Sequence, residues 1–246
     1  MQHLGFTRTS VKPDHALLTP DSFIRAPLPG FVNATCIVHI SPAMGAAFTQ
    51  YTVEASANSS FGAAFEHCSR FVFVLEGEVT LTVGKKKHVL KALHYAFIPA
   101  NTNHNMTSQK PAKVCVFEKP YLDLPDVPMP ELIVADSRKV NSVPINNDPA
   151  LQCRLLLPEH PSFDFAVNTM TFDPGASLHL VETHVMEHGL LMLQGGGIYK
   201  LNEHWYPVQK NDVIYMASYC PQWFGALGTG KSEYLLYKDW SRHPLE

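Results

Sequence analysis

Short runs of apolar, β-branched and aromatic residues, separated by turn residues, fill most of this chain of 246 residues. Long stretches with apolar residues at helical spacing are hard to find. The short runs end at Gly, Pro, Asn or Lys, a pattern typical of β-sandwiches and barrels. They cover residues 70–75, 78–83, 88–90, 96–98 and 114–118, and later 189–193, 197–201, 205–208, 212–215 and 233–238. The pattern therefore predicts an all-β fold.

The run pattern occurs twice, which indicates an internal duplication. The segment Leu75-Glu76-Gly77 matches Leu193-Gln194-Gly195, and His104 matches Gln222, each pair being 118 positions apart. Self-similarity at a fixed offset is the signature of a repeated structural unit. The two copies predict two tandem barrels.

Outside this register the copies differ in length. Segment 41–46 resembles segment 172–176 at a larger offset, so the first copy is expected to carry a longer loop around residues 51–62. The stretch 121–130 is rich in proline and predicts a linker or a strap. The predicted division is an N-terminal extension, a first barrel, a linker and a second barrel, at residues 1–30, 31–120, 121–150 and 151–246.

Composition narrows the classes of protein to which the chain can belong. Apolar residues make up 46% and charged residues 17%, which is enough for two cores, and the net charge of -3 argues against a nucleic-acid partner. No apolar stretch approaches the roughly 18 residues of a membrane helix, and the first residues lack the basic segment followed by an apolar one that is typical of a signal peptide. The five cysteines lack a C-x-x-C pair, which favours free thiols and a cytoplasmic location.

The C-terminal copy carries two motifs that resemble those of the cupin superfamily. Gly175 is followed by Glu182, where the first histidine of the motif is usual, and by His184. His188 then stands where a glutamate is usual, and Gln222 occupies the last ligand position of the second motif. The resemblance implies a bicupin, made of two tandem cupin barrels of the double-stranded β-helix or jelly-roll type.

A closer resemblance extends over nearly the whole chain. It is to the (S)-ureidoglycine aminohydrolase family, long labelled glyoxylate-induced proteins, and the segments that carry it are 15–21, 29–31, 182–189 and 234–239. The resemblance implies Mn²⁺ in the C-terminal barrel. It also implies release of ammonia from (S)-ureidoglycine to give ureidoglycolate, a step of purine (allantoin) catabolism.

Four side chains of the C-terminal copy are candidate metal ligands. Residues at even spacing on a strand share a face, so Glu182, His184 and His188 are expected to point into one barrel, with Gln222 arriving from a facing strand. Such a mixed nitrogen and oxygen set suits Mn²⁺, Fe²⁺, Ni²⁺ or Zn²⁺. The alternative is a set of hydrogen-bonded polar residues in the core.

The N-terminal copy lacks this donor set. The positions 118 residues earlier hold Ala64, Glu66, Arg70 and His104. A guanidinium directed to the metal position opposes a cation, so we expect a structural barrel without a metal, and one divalent ion per chain.

Three further residues are candidate substrate contacts. Tyr234 and Lys238 share one face of the last run, and Tyr199 follows Gly197. A buried ammonium needs a partner, which a substrate carboxylate would supply, whereas the alternative is an exposed lysine at a strand end. The family resemblance implies that Tyr199, Tyr234 and Lys238 contact the substrate, and Glu182 is also a candidate proton carrier. Glu187 is expected to be solvated.

Two other function classes stay open at this point. A bicupin dioxygenase, decarboxylase or isomerase could use the same metal, and a non-enzymatic cupin could bind a small ligand. In each case the expected partner is a small molecule. We also expect a homo-oligomer, because symmetric assembly covers the sheet edges and apolar faces of such barrels.

Overall fold

The structure, a computed structural model, describes residues 6–62 and 65–239. Among these residues there is no α-helix, and the three 3₁₀ turns are Pro20–Ser22, Pro42–Met44 and Ser137–Lys139. The strands are β1 (Ser10–Val11), β2 (His15–Leu18), β3 (Val32–Ile40), β4 (Thr49–Phe61), β5 (Cys68–Glu76), β6 (Glu78–Val83), β7 (Lys86–Lys91), β8 (His94–Ile98), β9 (His104–Ser108), β10 (Ala112–Pro120), β11 (Ile133–Asp136), β12 (Val143–Ile145), β13 (Asp148–Leu155), β14 (Ala166–Phe172), β15 (His188–Gln194), β16 (Gly196–Leu201), β17 (His204–Gln209), β18 (Val213–Met216), β19 (Gln222–Ala226) and β20 (Ser232–Lys238). The prediction of an all-β fold is confirmed.

The chain divides into two compact units. One unit is Ile24–Lys139, and the other combines the described part of Met1–Phe23 with that of Val140–Glu246. The segment predicted as a separate extension therefore contributes β1 and β2 to the C-terminal unit. Likewise, the predicted linker contributes β11 to the N-terminal unit and β12 to the C-terminal one.

The N-terminal unit is one antiparallel sheet in the order β11-β8-β5-β10-β4-β9-β6-β7, with β3 on β4. The expectation of a loop around residues 51–62 is wrong, because Thr49–Phe61 forms the long strand β4. This strand pairs with β3, β10 and β9. Its Ser and Asn residues are poor strand formers, but backbone hydrogen bonds to these neighbours hold it extended.

The C-terminal unit repeats this arrangement in two sheets. The larger has the order β1-β2-β18-β15-β20-β14-β13-β12, and the smaller has the order β17-β16-β19. Strands β16, β17 and β19 lie 118 positions after β6, β7 and β9 at both ends, so the duplication is confirmed at the level of strand bounds.

The repeated Leu-x-Gly segment explains why both copies keep a glycine. Gly77 and Gly195 have φ angles of +77° and +65°, which residues other than glycine rarely adopt. A Cβ atom would also lie 2.5 Å from the Pro111 carbonyl oxygen in the first copy and 2.6 Å from that of Lys231 in the second. Any other residue there would meet backbone atoms.

Each unit has an apolar core formed by the inward residues of its strands. In the C-terminal unit this core includes Met170, Leu190, Met192, Phe224 and Leu236. The polar residues described below line the same inward faces, close to the strand ends. All five cysteines are free, as the sequence predicts. Among the described residues no helix has the length and hydropathy of a membrane span.

Candidate metal and substrate site

Two strand ends and one loop position the four predicted ligands. His188 is the first residue of β15 and Gln222 the first residue of β19, and both are buried. Glu182 is joined to Gln222 by a single bridge, with backbone N–H to O distances of 2.8 and 2.9 Å. His184 lies in the loop between Glu182 and β15. Its carbonyl oxygen accepts a hydrogen bond from the Tyr219 backbone N–H at 2.7 Å. The prediction that Glu182, His184 and His188 share one strand is therefore wrong, because only His188 lies on an extended strand.

The side chains of His184, His188 and Gln222 nevertheless converge. The Nε2 atoms of the two histidines are 3.3 Å apart, and the Gln222 amide nitrogen lies 3.0 Å from Nε2 of His184. Nδ1 of His184 faces the Met186 carbonyl oxygen at 3.1 Å, and Nδ1 of His188 faces that of Tyr237 at 3.3 Å. A carbonyl accepts only an N–H, so both rings carry their proton on Nδ1 and present a lone pair at Nε2.

Two imidazole lone pairs that face each other repel unless a cation lies beside them. Burial is the main reason why the pKa of His188 is lowered to about 3, and the nearby His184 and Lys238 add to it. His188 is therefore neutral at physiological pH, which is the form that binds a metal. A backbone carbonyl on the other ring nitrogen is the usual support for a ligating histidine. The pair fits a divalent cation, and Gln222 would bind it through Oε1 once its amide group is turned so that the oxygen replaces the nitrogen.

The carboxylate of Glu182 lies close enough to Tyr199 and Tyr234 to affect their pKa values. Its charge contributes to the raised pKa values of both tyrosines, after the larger effect of burial. It is not part of a tight trio with the two imidazoles. Among the described residues, the trio whose donor atoms lie within 4.8 Å of one another is Asp14, His15 and Cys220.

That trio ties the N-terminal segment to the barrel. Nδ1 of His15 is 2.8 Å from the Asp14 carboxylate, and Nε2 is 2.9 Å from the Tyr206 hydroxyl. The second Asp14 oxygen accepts a hydrogen bond from Asn202 at 2.7 Å. Because both ring nitrogens and both carboxylate oxygens already have partners, the trio is a structural clamp.

The three predicted substrate contacts lie on inward faces near His188. Lys238 is the Cα partner of His188 across β15 and β20, and Tyr234 lies four positions earlier on the same face. Tyr199 on β16 and Tyr234 are each 1% exposed, and a hydrogen bond couples their hydroxyl groups. Burial lowers the pKa of Lys238, and the charge of Glu182 is among those that oppose this shift. Lys238 is thus partly buried, and the alternative of an exposed lysine at a strand end is wrong.

The structure buries two polar residues whose burial was not predicted from the sequence. Glu187 was expected to be solvated, but it is 6% exposed and accepts a hydrogen bond from the Tyr215 hydroxyl at 3.4 Å. Asn168 on β14 is 2% exposed, and its amide donates to the Cys153 thiol, which opposes the rise that burial causes in the pKa of that thiol. The signal for Asn168 was a polar residue at an inward position between Ala166 and Met170.

The equivalent place in the N-terminal unit holds a guanidinium. Arg70 donates to the Glu118 carboxylate through Nε at 2.6 Å, and its Nη1 is 2.9 Å from Nε2 of His104. Nδ1 of His104 faces the Thr102 carbonyl oxygen, so Nε2 accepts from the arginine. Glu118 also accepts a hydrogen bond from the Tyr51 hydroxyl at 2.8 Å.

Two further positions of the N-terminal copy correspond to Glu182 and His184. Glu66, the counterpart of His184, is exposed. Ala64, the counterpart of Glu182, lies outside the described residues.

Known proteins resemble this chain in sequence and in fold. A family model described as Cupin domain matches residues 57–118. The (S)-ureidoglycine aminohydrolase of Arabidopsis thaliana is 42% identical over 244 residues, which cover 98% of this chain and 80% of that protein. The (S)-ureidoglycine aminohydrolase of Escherichia coli K12 is 28% identical over 232 residues, covering 92% of this chain and 88% of that one. The crystal structure of the protein Ylba from E. coli is 28% identical, covers 96% of both chains and gives a TM-score of 0.87. With these likenesses the prediction of a bicupin is confirmed.

Proposed function

Since this chain belongs to the (S)-ureidoglycine aminohydrolase family, we propose that it hydrolyses (S)-2-ureidoglycine to (S)-ureidoglycolate and ammonia in purine catabolism. One observation carries the proposal. The lone pairs of His184 and His188 meet at 3.3 Å beside the Gln222 amide, on the same inward wall as Lys238. That arrangement provides a place for a cation next to a place for an anionic substrate.

The cation that we propose is Mn²⁺, held by His184, His188, Gln222 and Glu182. Nitrogen and oxygen donors without thiolate suit this ion. When bound, the ion supplies a positive charge that anchors and orients the heteroatoms of the substrate. Glu182 would complete the ligand set, since two backbone hydrogen bonds hold its main chain beside that of Gln222.

The side chains around the cation divide the work between binding and proton transfer. Lys238 carries the positive charge that attracts the substrate carboxylate, and its partly buried position strengthens that attraction. Tyr199 and Tyr234 keep their protons, because burial raises both pKa values. They are donors for substrate oxygens. Glu182 is the group that moves a proton to the departing amine.

An ammonia-release assay tests the proposal directly. Freshly generated (S)-ureidoglycine is added to protein loaded with Mn²⁺, and the expected result is release that exceeds the spontaneous rate and vanishes in the His184→Ala, His188→Ala double variant. Val185→Ala is the control in the same loop, and it should keep the activity. Consumption of dioxygen by protein loaded with Fe²⁺, without ammonia release, would instead identify an oxygenase.

We also propose a cytoplasmic homo-oligomer. The five free cysteines support a reducing compartment. The exposed apolar side chains of Val32 and Val38 on β3, which are 56% and 48% exposed, support an association face. Light scattering at micromolar concentration should give a mass above that of the 27.4 kDa chain, and a mass equal to it would refute the oligomer.

A further inference from the structure

Asn168 is a polar side chain buried at an inward position of β14. Its neighbours on that face, Ala166 and Met170, are apolar, and only 2% of Asn168 is exposed. Its amide nitrogen faces Cys153, but its Oδ1 atom accepts no hydrogen bond from any residue that the structure describes. A buried acceptor without a donor has lost its contacts with water and gained nothing in return. Such an atom is one that a bound donor would satisfy.

The register of two strands, β14 and β20, places this acceptor beside the candidate site. Leu236 on β20 is the Cα partner of Asn168, and Lys238 is the next inward residue along that strand. On the other side, Met170 is the partner of Tyr234, whose hydroxyl lies 3.2 Å from the Met170 sulfur. Asn168 therefore lies on the wall between the level of Lys238 and the level of Tyr234.

The other polar groups on this wall are mainly donors. Lys238 donates as an ammonium, and Tyr234 keeps its hydroxyl proton. Donors of this kind suit the carboxylate and carbonyl oxygens of a ureido acid. The N–H groups of its ureido part need an acceptor instead. The carboxylate of Glu182 is not available for this, because it is proposed to bind the cation and to move a proton. The Oδ1 atom of Asn168 is the neutral acceptor that remains.

We propose that Asn168 is a further substrate-binding residue, whose Oδ1 atom accepts a hydrogen bond from an N–H of the ureido group. The inference rests on the proposed function for the identity of the substrate. It assigns Asn168 to specificity, because an analogue without N–H groups would leave the buried acceptor unsatisfied.

Two stable ligands of the same shape test this assignment. N-carbamoylglycine has the ureido group and the carboxylate but lacks the amine that leaves. In 4-oxopentanoate both nitrogen positions are carbon, and the carbonyl and carboxylate are kept. Calorimetric titration of metal-loaded wild-type protein should show that N-carbamoylglycine binds about tenfold more tightly or better, the preference that one buried hydrogen bond confers.

Variants at this position should change the preference in a defined way. Asn168→Leu fills the same space without an acceptor and should bring the ratio of the two dissociation constants close to one. Asn168→Ala opens space and should give the same loss, so the test does not depend on one variant folding. Asn168→Asp keeps an acceptor and should keep the ratio of the two dissociation constants, although its negative charge should lower the affinity for both anionic ligands. Thr169→Val, on the opposite face of β14, is the control that should leave the ratio unchanged.

The outcomes separate this inference from the proposed function. If wild-type protein shows no preference, or if Asn168→Leu keeps it, Asn168 does not recognise the ureido group. Normal ammonia release with an unchanged KM in Asn168→Leu would likewise overturn the inference and leave the proposed function standing. The wild-type protein could prefer N-carbamoylglycine, and lose this preference in Asn168→Leu, yet release no ammonia from ureidoglycine. That result would support the inference and refute the proposed function.

Discussion

At the scale of single residues, Lys238 and Glu182 are expected to act at different stages of the reaction. Lys238 carries a charge that suits a carboxylate in both the ground state and the transition state. Glu182 combines an oxygen donor with the capacity to carry a proton. Substitutions that remove one property and preserve the shape of the side chain distinguish the two roles.

Lys238→Met should keep the metal content and raise KM strongly. An anchoring contact made equally in the ground and transition states contributes uniform binding, so its loss affects KM more than kcat. The loss of a charge-assisted hydrogen bond in a partly buried place corresponds to about 2–3 kcal/mol, or roughly 30- to 150-fold in kcat/KM. Steady-state ammonia release with metal analysis measures this. Lys231→Met, an exposed lysine just before the same strand, is the control.

Glu182→Gln should lower kcat by a factor of about 10² or more, while the substrate still binds. Glutamine keeps an oxygen for the cation but cannot accept and return a proton. The variant is compared with wild type for metal content, substrate binding and ammonia release. A kcat close to that of wild type would mean that Glu182 is only a ligand and that another group moves the proton.

The individual ligands could be predicted to different degrees. Gln222 lies in register with His104, and His188 with Arg70, so the duplication pointed to both. The position of His184 depends on a loop held by the Tyr219 backbone and by Met186, which no spacing rule describes. Asn168 was missed because its unsatisfied oxygen is a property of the packed barrel and leaves no motif.

At the scale of elements, strands β5 and β10 carry a buried ion pair. Arg70 is 3% exposed and Glu118 is 6% exposed, and they are Cα partners across the two strands. Removing one member leaves the other charge buried without its partner, which costs about 3–5 kcal/mol. Arg70→Met should therefore lower the free energy of unfolding by roughly this amount.

Denaturant unfolding of Arg70→Met and of Arg25→Met makes the comparison. Arg25 pairs with Glu54 at 2.6 Å, but 51% of its side chain is exposed. Exposed pairs contribute about 1 kcal/mol or less. Equal losses in the two variants would contradict a structural role for the buried pair.

His104 in the same cluster makes the stability of the N-terminal unit depend on pH. Burial, followed by the charge of Arg70, lowers the pKa of His104 to about 4. The unfolded chain, with a pKa of about 6.5, binds the proton first, so stability is full above that pH and falls as the pH decreases toward 4. His104→Gln should flatten the dependence between pH 4 and 6.5, measured as the free energy of unfolding against wild type. An unchanged slope would contradict this assignment.

Strands were predictable where apolar residues alternate, as in 78–83 and 197–201. Strand β4 was missed because the stretch between Val53 and Phe61 is polar and small. Its extended form comes from three neighbouring strands, which local sequence does not reveal. The pairing of β2 with β18 was missed for the same reason, since its two strands lie at opposite ends of the sequence.

At the scale of the whole molecule, we expect the two units to differ in the positive charge at equivalent places, which is the guanidinium of Arg70 in the N-terminal unit and a bound cation in the C-terminal one. We expect about one divalent ion per chain from elemental analysis of protein purified without chelator, because the N-terminal unit has Arg70 and His104 at the positions of His188 and Gln222. The His184→Ala, His188→Ala variant should retain none. Two ions per chain, or an ion retained by that variant, would contradict the expectation.

The duplication followed from the 118-residue offset and the all-β class from the short apolar runs, but the division of the chain into units followed from neither. Residues near the start of the chain belong to the same unit as those near its end. Asp14 and His15 connect them through hydrogen bonds to Asn202 and Tyr206. Such a connection is a tertiary contact between distant segments. Composition and periodicity describe residues that are close in sequence, so they do not predict a contact between distant segments.

Arg70 makes the positive charge of the N-terminal unit independent of the metal supply. A guanidinium is part of the chain and cannot be lost by dilution, whereas an ion held by neutral imidazoles exchanges with its surroundings. If the proposed ion is required for activity, the folding of the N-terminal unit does not depend on its supply. Protein treated with a chelator should therefore keep that unit folded, and ammonia release should return when Mn²⁺ is added back.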